Sequence, residues 1–322
     1  VIAGLRDKVL DGKGISKDEA CSLSSVQVAH LFDLFSAANR IREKFRDSGV
    51  ELCSIINAKS GECPEDCSYC AQSSYSDTDA PVFPLVKEDA VMEKVIEARD
   101  AGVKRFCIVT SGKKIGNKEL RAIASMVARI RKAGILPCAT LGLLSKDGIA
   151  ILKDSGLERY HHNLETSERF FPEMCTTHTY QDKLKTIEDV QSLGLSLCSG
   201  GIFGIGEEWQ DRIEMAFALK KINPDSVPVN FLIAVRGTPL EDMDLLPPFE
   251  ALKIISIYRF ILPEKEIRVC GGRRQVLREF NSMVFMSGAD SLLTGNYLTT
   301  TGVTFEDDLR LIRDYGLAVS SA

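Results

Sequence analysis

A parallel (β/α)8 barrel of the TIM type, with a helical extension at its N-terminal side, is the α/β fold this sequence predicts. Three observations predict it. From Leu52 onward, eight short β-rich runs alternate with longer amphipathic stretches whose apolar residues recur at three- and four-residue steps. Gly102, Gly134, Gly156 and Gly194 follow the helical runs, as C-terminal caps do. A chain of 322 residues with 44% hydrophobic content can bury one large core, and eight repeats of this size favour a closed barrel over an open doubly wound sheet.

Taken in order, the first forty or so residues read as helical and sit outside the repeat, giving an extension over 1–45 and a single catalytic barrel over 46–322. The eight expected strands are Leu52 to Asn57, Arg105 to Thr110, Leu136 to Leu141, Arg159 to Leu164, Ser196 to Ile202, Ser226 to Leu232, Ile267 to Cys270 and Ser291 to Thr294. Between them the periodicity predicts helices that include Lys87 to Ala101, Lys118 to Ala133, Thr179 to Leu193, Gln210 to Ile222 and Phe249 to Ile261. In such a barrel the reactive groups sit on the loops that follow the strands.

Composition narrows the function. No run approaches the ~18 uninterrupted apolar residues of a membrane span, and the first thirty residues hold no signal-like apolar core, so a cytoplasmic protein without membrane contact is expected. A net charge of -5 without a basic run argues against nucleic acid as partner. Ten cysteines in a chain of this length, not spaced as a secreted disulfide framework, point to metal or redox use.

The strongest local signal is Cys63, Cys67 and Cys70, a C-x3-C-x2-C run in the loop after the first expected strand. Iron-sulfur clusters usually take four ligands, so three compact thiols leave one iron open to an outside ligand; a zinc loop would instead borrow a remote fourth ligand. Cys107, Cys138 and Cys198 fall in the second, third and fifth expected strands, where each taken singly reads as a small buried core residue sooner than as a ligand.

The run Gly61-Glu62-Cys63-Pro64-Glu65-Asp66-Cys67-Ser68-Tyr69-Cys70 resembles the signature of the radical S-adenosylmethionine superfamily, in the form carried by the biotin synthase family. Tyr160 to Ser167, Cys198 to Glu207 and Ser226 to Asn230 are similar to later blocks of that family in the same order, and the likeness covers nearly the whole chain. It implies a [4Fe-4S] cluster on Cys63, Cys67 and Cys70, with the methionine amine and carboxylate of S-adenosylmethionine on the open iron. It implies an auxiliary [2Fe-2S] cluster on Cys107, Cys138 and Cys198, with Arg268 as fourth ligand. Tyr69, Glu165, Lys183, Ile202 and Gly204 would contact S-adenosylmethionine: Glu165 at the ribose hydroxyls, where the family usually has aspartate, and Lys183 at the carboxylate, where it usually has arginine. Asn163 and Asn230 would bond the ureido ring of dethiobiotin, since an amide offers both donor and acceptor. His161 stands where the family has a second asparagine, and is either a third residue to contact dethiobiotin, through a different hydrogen-bond geometry, or the mark of a change in specificity.

The implied reaction is reductive cleavage of S-adenosylmethionine to a 5'-deoxyadenosyl radical, hydrogen abstraction from dethiobiotin, and sulfur insertion from the auxiliary cluster. The implied partners are a low-potential donor such as flavodoxin or ferredoxin, iron-sulfur assembly proteins, and a second copy of the chain in a homodimer.

Two cysteines depart from the family pattern. Cys270 follows Arg268 by two residues and so shares its face of the seventh strand, and Cys53 lies in the first strand where the family has a small hydroxyl residue. Either Cys270, with Cys53 a further candidate, replaces the arginine in a four-iron auxiliary cluster, or both are packing thiols beside a two-iron one. Cys21 and Cys175 are expected to be free thiols. Two alternatives stay open: a hydrogenase-maturase-like or methylornithine-synthase-like enzyme of the same subgroup, towards which Thr110-Ser111-Gly112 and Glu165 lean, and a non-catalytic iron-sulfur carrier. Cleavage of S-adenosylmethionine separates the carrier from the enzymes.

Overall fold

The computed structural model describes residues 1–46 and 49–320; positions 47, 48, 321 and 322 of the predicted barrel region lie outside the described residues. Three helices come first: α1 (Ile2–Leu10), α2 (Lys17–Ser24) and α3 (Leu31–Phe45). The Ser16 hydroxyl accepts from Glu19 N while the Glu19 carboxylate accepts from Ser16 N at 2.7 Å, a reciprocal cap that fixes where α2 begins. Leu34, Phe35, Ala38 and Ile41 form one apolar stripe on α3, fully buried where the helix packs on α10 (Pro248–Ile261).

The strands are β1 (Gly49–Lys59), β2 (Arg105–Thr110), β3 (Leu136–Thr140), β4 (Arg159–His161), β5 (Ser196–Cys198), β6 (Gly201–Phe203), β7 (Ser226–Phe231), β8 (Glu266–Val269), β9 (Ser291–Leu293) and β10 (Ala318–Val319). Every pairing among them is parallel, and β9 pairs back to β1, so the sheet closes. The remaining helices are α4 (Glu88–Asp100), α5 (Asn117–Lys132), α6 (Lys146–Asp154), the single turn α7 (Phe171–Met174), α8 (Tyr180–Ser192), α9 (Trp209–Ile222), α11 (Arg273–Leu277) and α12 (Phe305–Asp314). Gly102, Gly134, Gly156 and Gly194 all have positive φ after a helix, as their positions predict.

Two expected strands are shorter than the sequence suggests. The run from Ser196 to Ile202 is one stave in two pieces, β5 and β6, interrupted at Ser199-Gly200. A Cβ at Gly200 would stand 2.0 Å from the Pro228 carbonyl oxygen, so only glycine lets the chain lie this close to β7. The fourth stave leaves regular pairing after His161: Leu164 N and Glu165 N both donate to Gly200 O, at 2.9 and 3.2 Å. The expected first strand starts late, because Gly49 and Val50 pair with Ala318 and Val319 of β10.

Candidate active site

The loop after β1 carries the cysteine triad. Cys63 N donates to Gln72 O at 3.1 Å, Ser74 N to Cys63 O at 2.8 Å and Cys70 N to Cys67 O at 2.9 Å, so the backbone around each thiol is tied locally. Two acidic residues between the thiols fasten the loop to the turn after α7. Asp66 Oδ1 accepts from Thr176 N at 2.9 Å and Thr177 N at 3.2 Å; Glu65 Oε2 accepts from Thr177 Oγ1 at 2.9 Å and lies against His178 Nδ1. Burial opposes the Asp66 charge, yet these bonds hold its carboxyl well below the usual range. Cys175, expected to be unconnected to the site, stands 3.7 Å from Cys67 Sγ and 3.2 Å from His178 Nδ1, and this contact pushes the Cys67 thiol up. Cys21 is exposed on α2.

Inside the barrel the strand register stacks two layers. Cys107 is level with Cys138, Cys138 with Arg159, and His161 with Cys198. One step towards the strand starts lies a buried ionic floor. Arg105 Nε donates to Glu51 Oε1 at 2.7 Å, Arg159 Nη1 to Glu266 Oε2 at 3.3 Å, and Arg268 Nη2 to Glu51 Oε1 at 2.9 Å while also touching Glu266 Oε1. Ser291 and Ser226 complete it: Arg268 Nε donates to Ser291 Oγ at 2.9 Å, and Ser226 Oγ to Glu266 Oε1 at 2.8 Å. Burial opposes the Glu266 charge, but the surrounding guanidiniums, Arg268 first, bring its carboxyl down to about 2. Three guanidiniums face two carboxylates, leaving the floor with an excess of one positive charge, and Arg105 Nη1 is buried with no hydrogen-bond partner among the described residues.

Above the floor is a cavity of about 260 Å³ lined by Cys53, Cys107, Cys138, Cys198, Cys270 and Arg268, and closed at the top by Tyr69 and Cys70 of the triad loop. The five strand thiols are buried. Burial pushes Cys53 up to about 12 and Cys270 well above the ordinary thiol value. Cys138 is brought down to about 7, first by the adjoining Cys107 thiol and then, against burial, by Arg105, Arg159 and Arg268. Sulfur donors with only weak protein partners, over a positively charged floor, suit an iron-sulfur cluster, whose irons take thiolates and whose charge is negative. Arg268 and Cys270 both reach the cavity, as their two-residue spacing predicts, but the Arg268 donors Nε and Nη2 are committed to Ser291, Glu51 and Glu266.

The organic-ligand residues surround the same cavity. Tyr69, Asn163, Glu165, Ile202, Asn230 and His161 all line it. Asn163 and Glu165, two residues apart, share a side of the cavity on irregular backbone, with Glu165 at φ 75° in the left-handed region. Glu165 O accepts from Ile202 N at 2.8 Å, which anchors that strained turn on β6. Lys183 is buried, not solvated, and its Nζ lies 3.8 Å from Glu165 Oε1. Gly204 is absent from the cavity wall, because its N–H is taken by the Glu207 carboxylate at 3.0 Å. Enclosure holds His161 down to about 4, so it is neutral at pH 7. Sequence reasoning missed Glu51, Arg105, Arg159 and Glu266; the available signal was a charged residue two positions before an inward-facing Cys, His or Arg on each of four strands.

Comparison with known proteins agrees with this geometry. The family model for the radical SAM superfamily matches residues 59–219, and that for the biotin and thiamin synthesis associated domain matches residues 228–318. The biotin synthase of Thermodesulfovibrio yellowstonii is 55% identical over 293 residues, covering 91% of this chain and 92% of that one. The biotin synthase of Geobacter metallireducens is 46% identical over 317 residues, covering 98% and 96%. Among solved structures, methylornithine synthase superposes with a TM-score of 0.86 at 19% identity, over 98% of this chain and 97% of that one, and the [FeFe]-hydrogenase maturase HydG with 0.85 at 16%, over 100% and 75%; at such identities the likeness is one of fold. With full-length relatives this similar, and two thiol sets converging on one barrel cavity, the chain belongs to the biotin synthase family of radical S-adenosylmethionine enzymes.

Proposed function

We propose that this chain inserts sulfur into dethiobiotin to form biotin, with residues 46–322 acting as one catalytic unit and 1–45 as an extension. The observation that carries the reading is the shared cavity: Cys70 of the triad loop and the five interior thiols line one barrel cavity, together with Tyr69, His161, Asn163, Glu165, Ile202 and Asn230. When bound, a [4Fe-4S] cluster with S-adenosylmethionine supplies a radical able to take hydrogen from unactivated carbon, and an auxiliary cluster supplies the sulfur.

The protein's own part is to hold, orient and exclude water. Cys63, Cys67 and Cys70 hold the first cluster, on a loop braced through Asp66 and Glu65. Glu165 receives the ribose hydroxyls, and Lys183 neutralises that carboxylate and faces the methionine carboxylate as a point charge, without the planar fork of arginine. Tyr69 and Ile202 close the wall around the nucleoside. Gly204, its amide already bonded to Glu207, contributes only the turn. Asn163 and Asn230 bond the ureido ring.

Cys107, Cys138, Cys198 and Cys270 supply four thiolates, the number a four-iron auxiliary cluster takes, with Cys53 a fifth thiol beside Cys270. Arg268 then serves the ionic floor. The two-iron arrangement with Arg268 as ligand remains the second reading, favoured by the exposure of that guanidinium to the cavity. Iron and sulfide content with Mössbauer spectra separates them: about eight irons per chain, with the non-triad signal lost in Cys270→Ala, supports the four-iron site, and about six irons unaffected by Cys270→Ala rejects it.

The activity is tested by anaerobic reconstitution followed by incubation with S-adenosylmethionine, dethiobiotin and a low-potential reductant. Formation of methionine, 5'-deoxyadenosine and biotin is expected; cofactor cleavage with no biotin would sink the substrate, and no cleavage at all would leave a cluster carrier. Electron delivery by flavodoxin or ferredoxin, rebuilding of the auxiliary cluster by assembly proteins, a homodimeric state and a cytoplasmic location complete the proposal. No helix among the described residues is long and apolar enough to cross a membrane, and that agrees with this location.

A further inference from the structure

Four side chains form a continuous hydrogen-bonded line along the cavity wall from β3 to the end of the fourth stave. Thr140 Oγ1 lies 3.0 Å from His161 Nδ1, His161 Nε2 2.8 Å from Asn163 Oδ1, and Asn163 Nδ2 donates to Glu165 Oε2 at 3.2 Å. The hydrogens along this line follow from chemistry. Gly200 N–H donates to Asn163 Oδ1 at 3.1 Å, and the Asn163 NH2 donates to a carboxylate, so the amide cannot be turned the other way. Its oxygen only accepts, so His161 Nε2 must be the donor. A hydrogen on Nε2 leaves the lone pair on Nδ1, and the Thr140 hydroxyl supplies the hydrogen there.

The consequence reaches the ligand. With two N–H groups on its oxygen, Asn163 has one free group of full strength, the second hydrogen of its NH2, and Asn163 lines the cavity. We propose that His161, oriented by Thr140, is a positioning residue that joins Gly200 N–H and Glu165 in holding Asn163 as a hydrogen-bond donor, and so helps the site read the carbonyl oxygen of a cyclic urea. His161 thereby acts through Asn163 and not by touching substrate. The inference rests on dethiobiotin as substrate.

The test is equilibrium binding of labelled dethiobiotin, and of its analogue with sulfur in place of the urea oxygen, to the oxidised holoenzyme loaded with S-adenosylmethionine and given no reductant. Thiocarbonyl sulfur is a poor acceptor, so the native protein should prefer dethiobiotin by about tenfold, the worth of one well-made hydrogen bond. Thr140→Val keeps the side-chain size and removes the hydroxyl; it should lower that preference severalfold without changing iron content, Gly200 and Glu165 still holding the amide. Thr140→Ser and His161→Gln, whose amide can give Asn163 the same hydrogen, should keep it. An unchanged preference in Thr140→Val overturns the role of the line, as does its loss in both conservative variants with clusters intact. Failure of the native holoenzyme to bind dethiobiotin at all overturns the substrate reading instead, a result that no variant of the line could produce.

Discussion

Two layers of the barrel interior, one strand step apart, are built on opposite principles. In the floor, Glu51, Arg105, Arg159, Glu266 and Arg268 satisfy one another and three neighbouring serines, Ser196, Ser226 and Ser291. In the layer above, the thiols have only weak partners: Cys53 Sγ reaches Ser54 O at 3.8 Å and Cys270 Sγ reaches Arg268 O at 3.6 Å. Arg105 Nη1 apart, the floor's groups are paired within the protein, whereas the thiol layer offers sulfur donors held only by weak contacts. That difference separates what holds the barrel together from what the barrel is for.

Variants that exchange the roles of the two layers test this directly. The largest effect should come from Cys138→Ala: biotin formation falls to background while 5'-deoxyadenosine is still made, and the apoprotein loses only about 1 kcal/mol in chemical denaturation, the ordinary cost of a small core change. Stability lost on the scale of a floor variant would break the contrast. Glu266→Ala should cost about 3–5 kcal/mol, because it leaves the Arg268 and Arg159 guanidiniums buried without their carboxylate. Urea titration of the apoprotein reads it, and a loss below about 1 kcal/mol would mean that the floor is not structural.

Acid sharpens the comparison further. His161 titrates ordinarily near 6.5 but at about 4 when folded, so the unfolded chain binds the extra proton and stability declines as pH falls through the interval from 6.5 to 4. Glu266 falls from 4.5 unfolded to about 2 folded, so its contribution is complete above 4.5 and is lost as pH drops towards 2. Apoprotein stability followed by circular dichroism should therefore decline in two windows, with His161→Gln shrinking only the upper one, to which His162, also held well below its ordinary value by burial, contributes as well. The smallest effect is expected from Asp66→Asn, which keeps size but weakens acceptance from Thr176 and Thr177: about 1–2 kcal/mol, felt as faster loss of the triad cluster under chelator and not as loss of fold.

The legible part of this molecule is the part fixed by period. Alternation along a strand was enough to put Arg268 with Cys270; the grouping of Cys107, Cys138 and Cys198 came from the family resemblance, and the parallel register shows how one cavity can collect them. The interruption at Gly200 was hidden, since the steric need comes from Pro228, on another strand. So was the approach of Cys175 to Cys67, which depends on two carboxylates reaching across to a turn over a hundred residues away. Gly204 is a related case: a glycine after a strand marks an available backbone, but Glu207, three residues on, takes its N–H, which the sequence alone does not disclose.

The pairing of β10 with the start of β1 sets the order in which the chain can mature. Gly49 lies beside Ala318 and Glu51 beside Ser291, contacts between residues far apart in sequence, so the first stave waits for segments made more than two hundred residues later. Until they arrive, β1 has a bare edge and the floor lacks Ser291, one of the groups that hold Arg268 in place. A chain stalled before β9 would accordingly present its interior cysteines without a closed barrel around them.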